Sequence, residues 1–254
     1  MRHFIHSGDL GDVLYALPTV RAMGGGTIHL IDSPGMTAHG MTPERIAAIQ
    51  PLLESQPYIS EVRTDFPVEG MDEVNLNAFR FSGQDFVSTF LPDTTLNTFR
   101  LPVTERDTKW LTADPYHSKE SGMAAPVILA RSARYHNPRF PWRKILEKYG
   151  RDALFVGTPA EYVAFNTEFG SSLNFKYTGD LLHLARVIAS ADLFIGNQSA
   201  PLAIAHGLKQ NAIVEVCPYC PNCIDPRLNC WPGFDENVHL PDLECLVRGV
   251  YPAI

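Results

Sequence analysis

Short apolar runs alternate with stretches of helical periodicity along most of this chain, and turns rich in glycine and proline separate them. That alternation predicts parallel sheets with right-handed crossovers, because a parallel neighbour is reached only through a long return connection. Residues 2–6 are apolar at alternate positions and break at Ser7-Gly8-Asp9-Leu10-Gly11-Asp12, after which Val13, Leu14, Leu17 and Val20 recur at helical spacing. Pro18 lies inside this helix and is expected to kink it or end its first segment. Gly24-Gly25-Gly26 stops the helix, and residues 27–31 form the next expected strand. A second helix opens at Thr42, a plausible cap, with Pro43 in its first turn. A strand follows over 58–63. Residues 67–115 are less regular, with a strand expected at 74–79.

From residue 126 a second alternating set begins. Strands are expected at 126–130, 153–156, 193–195 and 212–216, and helices at 142–149, 161–169, 181–190 and 201–208. The pattern predicts two small doubly wound α/β lobes, residues 1–115 and 126–254, with a polar linker over 116–125. No internal repeat and no low-complexity tract interrupts it.

A length of 254 residues, 45% hydrophobic and 19% charged, suits a globular protein with a sizeable core. No apolar run approaches the roughly 18 residues of a membrane span. Residues 1–6 soon meet Gly8, Asp9 and Asp12 and lack the apolar stretch of a secretory signal, so a cytoplasmic location is expected. A net charge of −7 argues against a broad surface for gripping phosphate backbones, although it leaves a local basic groove open.

In open parallel sheets ligands bind beyond the carboxyl ends of the strands, and two turns stand out there. At Ser7–Asp12, glycines let the backbone approach a ligand while Asp9 and Asp12 project from the turn and the helix start. Either Asp could equally be a helix cap, worth about 1 kcal/mol. At Phe194-Ile195-Gly196-Asn197-Gln198-Ser199-Ala200-Pro201 a strand end meets a helix N-terminus whose N–H groups could hold a diphosphate. Ordinary turn chemistry accounts for the same residues. Arg131, Arg134 and Arg139, with Tyr135 and His136, form the most basic local stretch, either a phosphate-facing loop or a solvated one. Trp110, Trp142 and Trp231 are expected to pack rather than to form sugar platforms.

Several motifs in fixed order resemble glycosyltransferase family 9, the lipopolysaccharide heptosyltransferases. They are Gly11-Asp12-Val13-Leu14 with Leu17-Pro18 and Arg21-Ala22, Leu52-Leu53 through Tyr58-Ile59-Ser60-Glu61-Val62, Arg139-Phe140-Pro141-Trp142, Phe155-Val156-Gly157-Thr158-Pro159-Ala160-Glu161, Tyr177-Thr178-Gly179-Asp180-Leu181, and Ala185 through Gln198-Ser199-Ala200-Pro201. The resemblance covers most of the chain. It implies a GT-B fold, two Rossmann-like lobes whose parallel sheets face each other across a cleft, with the acceptor on the N-terminal lobe and a nucleotide-diphosphate sugar on the C-terminal one. It implies Asp12 as the base that deprotonates an acceptor hydroxyl, in a metal-independent inverting displacement. Glu161 would hold the donor ribose, Arg139 and Ser132 would meet the diphosphate, and backbone N–H groups from Gly196, Asn197, Gln198, Ser199 and Ala200 would face it, with Gly11 in the first turn. No cofactor is implied beyond the sugar nucleotide.

Departures from the family pattern leave the transferred sugar open. The usual Asn-Asp-Ser-Gly-Pro reads Asn197-Gln198-Ser199-Ala200-Pro201, and a histidine usual after the proline is replaced by Ala203, with His206 three residues on. Cys217, Cys220, Cys223 and Cys230 have a spacing that could wrap a tetrahedral zinc. Sugar transfer needs no metal, so thiols in a loop are preferred to a structural zinc. Three functional classes stay open: a transferase acting on a saccharide or on a modified nucleobase in DNA, an inactive sugar-nucleotide or polysaccharide binder, and a metal-dependent redox or regulatory protein.

Overall fold

A computed structural model of the protein describes residues 1–32, 40–116 and 124–249. The chain divides into two units, Met1–Thr112 with Asp180–Leu182, and Ala113–Gly179 with His183–Ile254. Residues 117–123 of the expected linker lie outside the described residues.

The first unit is built on four parallel strands, β1 (Arg2–His6), β2 (Gly26–Leu30), β3 (Ile59–Arg63) and β4 (Asp72–Asn75), in the order β3-β2-β1-β4. Every residue of β2 is buried, as expected of an interior parallel strand covered on both faces. Helix α1 (Leu10–Ala22) follows β1 and continues past Pro18, so of the kink or stop expected there the stop does not occur. Proline costs a helix interior about 3 kcal/mol. Burying Val13, Leu14, Leu17 and Val20 outweighs that, at about 1.5–3 kcal/mol for each side chain. The glycine run after α1 is a crowded corner. Gly25 has a φ of +73°, and a Cβ there would fall 2.0 Å from the Tyr58 carbonyl oxygen. Helix α2 (Pro43–Glu54) starts where Thr42 caps it, its hydroxyl accepting the Arg45 N–H at 3.5 Å.

The strand expected at 74–79 is corrected. Strand β4 ends at Asn75, whose side chain accepts the Asn77 N–H at 3.0 Å and turns residues Leu76–Phe81 into a 3-10 helix. Helix α3 (Leu91–Thr98) packs on α1 and has no apolar periodicity to announce it. Thr94 and Thr95 are buried there because their hydroxyls donate to the carbonyls of Phe90 and Leu91.

The second unit carries a six-stranded parallel sheet of β5 (Val127–Ala130), β6 (Ala153–Val156), β7 (Asn174–Lys176), β8 (Leu193–Asn197), β9 (Ala212–Glu215) and β10 (Cys230–Gly233), in the order β10-β9-β8-β5-β6-β7. The intervening helices are α4 (Trp142–Tyr149), α5 (Pro159–Phe169), α6 (Leu181–Ala189) and α7 (Ala200–Gly207), with α8 (Leu243–Val247) following the sheet. Val127, Leu129, Phe155, Ile195 and Ile213 from the strands pack with Trp142 and Trp231 in one core. All three tryptophans are buried, as packing residues should be. Strand β10 includes Pro232, which an edge strand tolerates because one side of it makes no ladder.

Each sheet reverses its strand order once, between β1 and β4 in the first and between β5 and β8 in the second. Crevices for ligands form beyond the strand ends at such reversals.

Candidate functional site

At the first reversal, the turn after β1 carries Asp12 on the opening turn of α1. Asp9 is the N-cap residue by position, yet its side chain makes no capping bond. It is instead ion-paired with Arg45 of α2 at 2.8 Å. Asp12 is ion-paired through Oδ2 with Arg80 of the 3-10 helix, each side chain about one-fifth exposed. Asp9 thus spends its charge on Arg45 rather than on capping, while Asp12 also accepts the Asp9 backbone N–H at the start of α1.

His6 ends β1 directly beneath Asp12. A Cβ at Gly8 would lie 2.5 Å from His6 Cε1 and 3.0 Å from Asp12 Oδ2, so only a glycine lets the imidazole and the carboxylate close around that point. The Gly8 N–H donates to His6 Nδ1 at 2.9 Å, which places the ring proton on Nε2. That Nε2 is buried and finds no partner among the described residues. Burial, aided by the Arg80 charge, pushes the His6 pKa down to about 3, so the ring is neutral. Asn77 closes the reversal by accepting the Ser7 N–H on Oδ1 at 3.1 Å. Burial raises the proton affinity of Asp12, the Arg80 charge lowers it, and the Asp9 carboxylate raises it again. A carboxylate with such opposed influences is suited to proton transfer.

At the second reversal Asn197, buried at the end of β8, is bonded across to the end of β5. Its Oδ1 accepts the Ser132 N–H at 2.9 Å, and its Nδ2 donates to Ser132 Oγ at 3.1 Å and to the Arg134 carbonyl. Gly196 and Asn197 belong to the sheet, registered with Ala130, Val214 and Glu215. Gly196 is dictated by that sheet, since a Cβ there would fall 2.6 Å from the Ala130 carbonyl oxygen. Gln198 is committed elsewhere. Its Oε1 accepts the Cys217 N–H and its Nε2 donates to the Cys220 carbonyl, both at 2.6 Å, so the amide clamps the cysteine loop. Ser199 and Ala200 open α7, where Pro201 removes one of the helix-end donors.

Arg139 is exposed, and its guanidinium has no partner among the described residues. Glu161 forms a capping box at the start of α5, its Oε2 accepting from the N–H and hydroxyl of Thr158 at 2.7 and 3.0 Å. The phosphate-facing expectation for Arg131 is corrected. Arg131 is buried, paired with fully buried Glu215 at 2.9 Å and with Glu168 at 2.6 Å, and it lies over the Phe169 ring. A guanidinium among these aromatic rings could stay charged only with such partners.

The four cysteines do not converge as a zinc site would require. Among the described residues no three His, Cys, Asp or Glu side chains are placed to hold a metal ion. Cys230 is drawn into β10, where its sulfur lies 3.5 Å from Nε2 of buried His206. Burial pushes the Cys230 thiol up to about 12 and holds His206 neutral. His206 is thus a core residue under α7.

Sequence reasoning missed Arg80, Asn77 and His6. The first two sit in an irregular stretch with no periodic signal, and only the placement of β4 beside β1 brings Arg80 to Asp12 and Asn77 to Ser7.

No helix among the described residues is long and apolar enough to cross a membrane. No protein-family model and no curated protein sequence matches the chain. Solved structures do. A family 9 glycosyl transferase from Veillonella parvula superposes with a TM-score of 0.58 at 13% identity, over 91% of this chain and 84% of that one. E. coli ADP-heptose lipopolysaccharide heptosyltransferase II gives 0.50 at 11%, over 91% and 89%. The dodecameric iron-containing heptosyltransferase TibC in complex with ADP-D-β-D-heptose gives 0.56 at 11%, over 90% of this chain and 62% of that one. With its two parallel sheets of four and six strands, the chain has the GT-B fold of the family 9 heptosyltransferases.

Proposed function

We propose that the protein is a glycosyltransferase that moves a sugar from a nucleotide-diphosphate donor to an acceptor hydroxyl, with Asp12 as the base. The observation that carries this is Asp12 itself. It is a half-buried carboxylate beyond the end of β1, at a strand-order reversal, with Arg80 as its counter-ion. In the inverting displacement, the acceptor oxygen attacks the anomeric carbon from the side opposite the diphosphate. The carbon–oxygen bond to the diphosphate breaks as the acceptor proton passes to Asp12. A positioned base contributes about 10²–10⁴-fold to such a step.

The first unit would serve the acceptor and the second the donor. Exposed Arg139 would stabilise negative charge on the departing diphosphate. Glu161 Oε1, outside the capping box, would take the ribose hydroxyls. ADP and ADP-heptose are the first ligands to test, because solved proteins of this fold are described with them.

The test is thermal shift and nucleotide release against a panel of nucleotide-diphosphate sugars, with wild type and Asp12→Asn side by side. One donor should stabilise the protein and release its nucleotide in the presence of an acceptor, and Asp12→Asn should cut that release at least about 100-fold. Unchanged turnover in Asp12→Asn would remove the base. One observation favours a second reading, a binder without turnover: Gln198 replaces a carboxylate and is consumed in clamping the cysteine loop. Donor binding with no release on any acceptor would select it.

A further inference from the structure

Asp12 is surrounded by four groups that bear on its charge. Neutral His6 lies beneath it from β1, and Asp9 is its neighbour in the turn, its carboxylate repelling the Asp12 charge while its backbone N–H bonds to it. Arg45 of α2 is spent on Asp9, and Arg80 arrives from the 3-10 helix after β4. Among the described residues Arg80 is the one cation in direct contact with Asp12. Its guanidinium is held over the Phe79 ring at 4.8 Å, and its Nε is buried without an acceptor. A guanidinium held over a ring in this way presents its N–H to one carboxylate oxygen from a fixed direction.

We propose that Arg80 is a positioning residue for the base, its guanidinium on Oδ2 of Asp12 holding the carboxylate, together with the Asp9 backbone N–H, in the orientation that takes the acceptor proton. The inference rests on Asp12 being the base. A carboxylate at this depth would otherwise bind its proton too readily and turn freely about its last bond. The Arg80 charge counters the first tendency and its fixed contact counters the second. Arg80 thereby sets the lower edge of the pH range in which the enzyme works.

The experiment is a carbon-detected NMR titration of the Asp12 carboxyl in wild type, Arg80→Met and Arg80→Lys, with Asp12→Asn to assign the signal. Nucleotide release from ADP-heptose, or from whichever donor the panel selects, is followed over the same pH range. Removing the cation should raise the Asp12 midpoint by about one to three pH units. The rising limb of the rate profile should move with it. Arg80→Lys should hold the midpoint near the wild-type value while losing rate, because an ammonium lacks the planar grip of a guanidinium. Coincident midpoints in wild type and Arg80→Met would overturn the proposal, and so would a shifted midpoint with an unshifted rate limb. If Arg80→Met fails to fold, a wild-type midpoint in Arg80→Lys with undiminished rate overturns the orienting role. Failure of Asp12 as base is read separately, in undiminished turnover of Asp12→Asn.

Discussion

Glu215 is fully buried at the end of β9, and its carboxylate accepts four hydrogen bonds. Arg131 Nε and Trp142 Nε1 reach Oε2 at 2.9 and 3.0 Å, while Arg131 Nη2 and the Asn137 N–H reach Oε1 at 3.2 and 2.8 Å. Glu215→Ala would orphan an indole N–H, a backbone N–H and most of a buried guanidinium. Breaking a buried pair in this way costs about 3–5 kcal/mol. Glu168 keeps its contact with Arg131 Nη1, but it is half exposed and screens poorly for the loss, which places the expectation near the lower end, about 3 kcal/mol. Glu215→Gln should be nearly as harmful despite its equal volume, because its NH₂ would confront groups that are themselves donors. Urea unfolding followed by tryptophan fluorescence reads the change. Each kcal/mol lost should also lower Tm by about 2–4 °C in a protein of this size. The double variant Arg131→Met with Glu215→Leu should lose less than Glu215→Ala, since it removes the charges together. A Glu215→Ala loss below about 1 kcal/mol would refute the network as a structural requirement.

Three further outcomes follow from the same geometry. His6 has a folded pKa of about 3 against an ordinary value of 6.5, so between these values the unfolded chain binds the extra proton and stability falls as pH falls. From pH 7 to 5 the loss from His6 is about 2 kcal/mol, and urea titrations of His6→Asn should show a correspondingly shallower pH dependence. An equal slope in both proteins would show that His6 is not held neutral. Gly196→Ala forces a Cβ to within 2.6 Å of the Ala130 carbonyl oxygen, and should cost about 1–3 kcal/mol in the same assay, whereas a neutral effect would mean that β5 and β8 can part freely. Alkylation by iodoacetamide, mapped by mass spectrometry, should mark partly exposed Cys220 and Cys245 in the native protein and reach Cys230 only after unfolding. Early labelling of Cys230 would contradict its burial against His206.

The strand, turn and helix at the N-terminus were legible because a period-two run, a glycine break and a period-3.6 run each leave a local mark. The same holds for α4 and β6, where the expected and observed limits coincide. Helix α3 and strands β7 and β10 left no such mark. The polar residues of α3 are stabilised by side-chain bonds to the backbone, β7 has three residues, and β10 holds a proline that an edge position forgives. Arg131 shows the limit for chemistry. An arginine in a basic stretch reads as a phosphate contact until the fold shows Glu215, 84 residues away, beside it.

The sequence by itself determined the alternation of elements, hence parallel sheets, and it located Asp12 and Asn197 at the ends of strands. These follow from contacts within a few residues, where local spacing controls conformation. Tertiary structure alone decided the strand order. With β4 placed on the free side of β1, Arg80 comes to Asp12 across 68 residues of sequence. With β8 beside β5, Ser132 comes to Asn197 across 65. Strand order is set by which apolar faces bury best together, a property of the whole chain, so the charges that meet at each reversal cannot be read from either segment alone.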